Sequence, residues 1–155
     1  MSRNHGKDAH RHETISTLFW RSLMHDTSSV NASEIEGASI HDFRSLRIWQ
    51  VAMELASSVF LETKSFPPQQ TMILTNQMQR SALSVPSNIA EGSSLGSKAQ
   101  FCKYLRIAKG SLSELETQLI MSTMVGFMEE SRSTELQLTC RRLRTMISKF
   151  IAAKR

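Results

Sequence analysis

Gln77, Arg80, Ser84, Asn88 and Glu91 recur every three or four residues, and a second line of Lys103, Gly110, Ser111, Glu114 and Gln118 follows about thirty positions on. At helical spacing each set makes one polar stripe beside an apolar one. Such stripes can do two kinds of work. Glu91, Glu114 and Glu116 could exchange protons as general acids or bases. Arg80 could instead meet Glu114 in a partly buried ion pair that fixes which helices touch. No histidine lies in the helical region to join the carboxylates, so the structural reading leads. Cys102 and Cys140 have no companions at zinc-ligand spacing, and no Glu-x-x-His pair of a di-iron bundle occurs. Neither a phosphate-cradling glycine loop nor a nucleophile elbow is present. No cofactor, no metal and no enzymatic activity are expected.

The remaining chemistry is charge. Lys103, Arg106 and Lys109 step by three along one segment, while Arg141, Arg142 and Arg144 cluster in another, with Lys149 beyond them. They suit phosphate contacts of RNA or DNA. Tyr104 is the only tyrosine, so base stacking has little support. The competing reading is a solvated basic face.

These residues need elements to position them. The chain has 155 residues, net charge +5, nine Met, six Gly and three Pro, which suits one all-α domain better than a turn-rich β fold. Residues 1–38 hold four basic and five acidic residues, and residues 39–155 hold fifteen and nine. The second part is therefore the basic one, which favours an anionic partner. Residues 1–38 read as a polar, mostly disordered tail with four of the five His (His5, His10, His12 and His25). Ile15, Leu18, Phe19 and Leu23 form its single short stripe, and translation could start at Met1 or at Met24. No apolar run reaches the ~20 residues of a membrane span, and no signal-peptide core opens the chain. With two cysteines, a cytoplasmic protein is expected.

Residues 39–155 divide into four amphipathic helices. The first is expected from Asp42 as N-cap to Lys64. Its inward set is Leu46, Trp49, Met53, Ala56 and Phe60, with Ile48, Leu55 and Val59 to one side. That wide apolar surface suits either a neighbouring subunit or a thickly packed monomer. Phe66-Pro67-Pro68 separates it from a second helix over Gln69–Glu91, with Leu74, Met78, Ala82, Val85 and Ile89 inward. Gly92 suits that helix's end. Ser97 caps a third, running to Val125, with Phe101, Leu105, Ala108, Leu112, Leu115 and Leu119 inward. The fourth spans Ser131–Ala153, with Leu136, Cys140, Leu143, Ile147 and Phe150 inward. Short connections imply an up-down-up-down four-helix bundle. In the expected register Arg80 sits near Lys109 and Gly110, and Glu91 lies level with Lys98. Pro86 and Gly110 stand inside helical pattern at costs of about 3 and about 1 kcal/mol, so each needs a packing or functional reason.

The most specific stretches are Gln77 to Gly92, with Ser-Val-Pro-Ser-Asn-Ile-Ala-Glu-Gly, and Ile107 to Leu119, with Ala-Lys-Gly-Ser-Leu-Ser-Glu-Leu-Glu. Together with Phe43 to Trp49 and Phe66-Pro67, they make residues 41–152 resemble the four-helix proteins named for ribosomal-RNA intervening sequences. They are also similar to the accessory variability determinants of diversity-generating retroelements. The resemblance implies a homopentameric ring, no established enzyme chemistry, and partners such as RNA, DNA or a reverse transcriptase. Its motif falls on Arg80, Pro86, Asn88, Glu91, Gly92, Gly110, Ser111 and Glu114. One departure is the loop Ser93-Ser94-Leu95-Gly96, where such proteins often carry a basic residue.

Overall fold

The computed structural model describes residues 42–153. The reading of residues 1–38, with its histidines and alternative start, lies outside the described residues. Four α-helices and no strand occur among them: α1 Arg47–Glu62, α2 Asn76–Ser94, α3 Lys98–Met124 and α4 Glu130–Ala153. None is long and apolar enough to cross a membrane.

Asp42 caps as expected, but it caps a 3-10 turn at Phe43–Ser45 and not α1 itself. Its carboxylate accepts the Arg44 N–H at 3.1 Å. Leu46 is extended, so the chain breaks there before α1 begins. A 3-10 turn at Thr63–Ser65 follows α1. From the second proline, a further 3-10 turn (Pro68–Gln70) and a π turn (Thr71–Thr75) precede α2, which therefore starts later than Gln69. It also ends later, at Ser94. Ser97 caps α3 as its spacing predicts, and Gly126 takes φ +76° in the following turn, where a side chain would be strained.

Three of the four inward stripes are where the periodicity puts them. Met78, Ala82, Val85 and Ile89 of α2 are buried, and so are all the residues expected inward on α3 and α4. Leu74, placed with the α2 stripe, packs against this core only partly buried. On α1 the inward face is rotated. Ile48, Val51, Ala52, Leu55 and Val59 are buried with Leu46 and Ala56, Trp49 and Met53 are half-buried, and Phe60 is exposed. The helix has apolar residues on more than half its circumference, so spacing alone does not select a face. Each fully buried Leu or Ile contributes about 1.5–3 kcal/mol.

Polar pins set how the helices meet. Thr63 accepts from Gln79 at 2.9 Å and donates to Val59 O. Ser133 donates to Leu119 O at 3.1 Å, and Arg132 is bound by Glu62 and Glu135. The Phe66 and Phe127 rings meet at 5.8 Å near those contacts, and Phe101 meets Phe150 at 5.4 Å toward the other ends of α3 and α4. From Phe101–Phe150 to Leu119–Ser133, residue numbers fall on α4 as they rise on α3.

Candidate nucleic-acid interface

The α2 and α3 polar stripes do come together, in a register different from the expected one. Ser84 and Ser111 hydroxyls meet at 2.9 Å, and Asn88 donates to Ser84 O and Oγ. Ser81 donates to Gln118 at 2.7 Å, and Gln118 donates to Glu114. Tyr104 donates to Glu91 at 2.8 Å, so Glu91 is level with Tyr104 and not with Lys98. Ser84, four residues beyond Arg80, is what sits opposite Gly110 and Ser111. The cause is the longer α2: carrying the helix to Ser94 moves the turning point toward α3.

The Arg80–Glu114 pair is a correction. Both residues are exposed, no ion pair joins them, and Glu114 takes its hydrogen bond from Gln118. Ser81, one step round the helix, takes the inward place given to Arg80. Gly110 is likewise exposed, and a Cβ there would meet nothing within 4 Å. Its absent side chain serves no contact among the described residues. Gly92 is the reverse: a Cβ would lie 2.6 Å from Tyr104 Cβ and 3.0 Å from Phe101 Cδ2. Pro86 is buried inside α2.

On the seam between α3 and α4, Glu116 takes two arginines. Arg141 Nε donates to Oε1 at 2.7 Å and Arg144 Nη2 to Oε2 at 2.9 Å, while Arg144 Nη1 reaches Ser113 Oγ at 3.2 Å. Burial alone would raise the Glu116 carboxyl, but the two guanidinium hydrogen bonds outweigh it and hold it below the ordinary value. Beneath this seam, burial first and the Glu116 charge second push the Cys140 thiol up to about 12, so it stays protonated and inert. Both cysteines are free. No group of three metal-ligating residues occurs among the described residues.

Lys103, Arg106, Arg142 and Lys149 are exposed and Lys109 is half-buried. With Arg144 they occupy the first half of α3 and the second half of α4, the end where Phe101 meets Phe150. The opposite end, where Glu62 meets Arg132, carries Glu129, Glu130 and Glu135 as well. The basic excess thus lies toward one end, which also holds Glu91, while Lys64, Arg80 and Arg132 belong to the other.

Glu54 is the half-buried exception. Its Oε1 has no hydrogen bond, and Arg47 lies 3.8 Å away. Desolvation raises its pKa against the weaker pull of Arg47 and Arg142. A carboxyl raised on folding lowers stability above its folded pKa and regains it as pH falls through that value. Glu54→Gln should therefore raise the melting temperature at neutral pH. That gain should shrink in acid, because the wild-type carboxyl takes up its proton above the ordinary carboxylate range. Thermal melts at neutral and acid pH check it.

The described residues define an all-α four-helix protein whose basic residues lie mostly toward one end. The family model of the 23S rRNA-intervening sequence protein matches residues 44–149, and the chain belongs to that family. No curated protein matches it. A solved structure from Bacteroides thetaiotaomicron, a protein with unknown function from the S23 ribosomal protein family, shares the fold. Its TM-score is 0.62 at 20% identity, covering 68% of this chain and 95% of that one.

Proposed function

We propose that the chain is a non-enzymatic accessory protein that binds nucleic acid through the basic end of an up-down-up-down bundle. The observation that carries the reading is the bias of charge: Lys103, Arg106 and Lys149 are exposed toward one end, with Arg142 exposed at the middle of α4. A randomly solvated surface would intersperse both signs. The reversed residue order in the Ser84–Ser111, Ser81–Gln118 and Glu116–Arg144 pairs supports the topology. The family's name makes RNA the first probe. Fluorescence anisotropy with a single-stranded RNA and a DNA duplex should give affinities that fall steeply as salt rises, because each phosphate contact releases counterions. Undetectable binding to both at low salt would end this reading.

We further propose a ring-like homo-oligomer, a pentamer by family resemblance, in the cytoplasm. Ile107, Gly110 and Met121 lie exposed along one line of α3, where a neighbouring copy could approach closely. A monomer mass in light scattering would remove the ring. A second reading, a module that binds another protein, draws on the opposite end, which exposes Leu61, Ile73, Met124 (76%) and Leu138. Salt-insensitive partner binding with no RNA affinity would select it.

A further inference from the structure

The seam between α3 and α4 holds two guanidinium groups one turn apart on a single carboxylate, each taking a different oxygen. The carboxylate is the covered member, with its side chain 14% exposed, while those of Arg141 and Arg144 are 57% and 31% exposed. Each guanidinium carries five N–H donors. Arg141 gives one to Glu116, and Arg144 gives one to Glu116 and one to Ser113. Both cations are therefore partly solvent-exposed with donors that no described residue takes, and their shared charge is partly cancelled by Glu116. Lys109 lies one turn before Ser113 on α3.

We infer that Glu116 is a built-in competitor of phosphate, the internal counter-ion that a nucleic-acid backbone must displace or outweigh to engage Arg141 and Arg144. This rests on the nucleic-acid reading above and names the residue that limits it. A carboxylate and a phosphate offer guanidinium the same paired oxygen acceptors. The carboxylate is held in place by the fold, so it sets the threshold a ligand must exceed. A single phosphate competes poorly, whereas a polyanion engaging the neighbouring cations as well competes strongly. The chain is thereby biased toward extended nucleic acid and against small phosphate esters.

The test compares wild type, Glu116→Gln and Glu114→Gln on one single-stranded RNA by anisotropy across a salt series, with inorganic phosphate as a small-anion competitor. Glu114 lies on the same helix, is exposed and touches neither arginine, so its variant removes an equal charge without freeing a guanidinium. Expected for Glu116→Gln is binding about tenfold tighter. The salt slope should steepen by about 0.7 to 1.4, one increment per arginine released to phosphate. Inorganic phosphate should compete at lower concentration than with wild type. Glu114→Gln should leave the slope unchanged. Equal gains in both variants, or no gain in Glu116→Gln while wild type binds, overturn the inference and leave the nucleic-acid reading standing. Binding by neither wild type nor Glu116→Gln overturns both. Circular dichroism melts accompany the series. If Glu116→Gln melts below the assay temperature, Glu116→Asp, which withdraws the carboxylate by one methylene, must show the steeper slope instead.

Discussion

Replacing Lys103, Arg106 and Lys149 together by Glu is expected to weaken RNA binding at low salt by at least about a hundredfold and to flatten the salt slope by about 2. All three side chains are exposed toward the same end of the bundle, and among the described residues none is held by a carboxylate. Their removal therefore leaves the packing untouched, and stability should stay within about 0.5 kcal/mol of wild type. Arg141 and Arg144 are excluded from this variant because of Glu116. Reversing them would place three carboxylates together on the α3–α4 seam and confound a binding defect with a folding defect. The control is the opposite end, where Glu129→Lys and Glu130→Lys should raise affinity only slightly, through long-range attraction that salt screens. If the triple variant binds like wild type, the basic end is a solvated surface. The exposed apolar residues near Glu62 then become the functional face.

The helices were legible because α2, α3 and α4 each carry a narrow apolar stripe with a clear start or stop, such as Ser97 before α3 and Gly126 after it. α1 was legible as a helix but not as a face, since Ile48, Val51 and Leu55 compete with Trp49, Met53 and Phe60 for the inward side. The short irregular turns before α1 and α2 carry no periodicity to read. Part of the polar ladder was visible as spacing: Ser84, Asn88, Ser111 and Gln118 do meet across one seam. Arg80 was misplaced and Ser81 and Tyr104 were missed, because the register depends on whether α2 stops at Glu91 or at Ser94. That choice turns on two serines with no strong preference. Glu116 was seen only as one of several carboxylates. Its signal was present as Arg141 and Arg144, three residues apart on the facing helix. Pairing them with Glu116 requires the α3–α4 register, which is set by the turn through Phe127 and Met128 and its backbone bonds to Ser122.

Gly92→Val is expected to be the most damaging single substitution in the bundle, lowering stability by about 3 kcal/mol or more. Any Cβ at this position falls 2.6 Å from Tyr104 Cβ, an atom that moves only if the α3 backbone moves. The helix-propensity gain from replacing glycine by valine, less than about 1 kcal/mol, cannot offset the separation of two packed helices. In a domain of this size, that loss corresponds to a melting temperature lower by more than about 10 °C. A second readout locates the damage. The Glu91 carboxylate accepts the Tyr104 hydroxyl and thereby raises its pKa. As Tyr104 is the chain's only tyrosine, its phenolate absorbance reports on that contact alone. Prising α2 from α3 should bring the titration back down toward the ordinary value of about 10. Gly110→Ala makes the contrast on the facing helix. With nothing within 4 Å of the new Cβ, the isolated bundle should gain about 1 kcal/mol. In a ring whose copies meet along Ile107, Gly110 and Met121, the same methyl group should weaken association instead, seen as a lower mass in light scattering at micromolar concentration. A gain in stability with unchanged mass would place any contact between copies elsewhere on the surface.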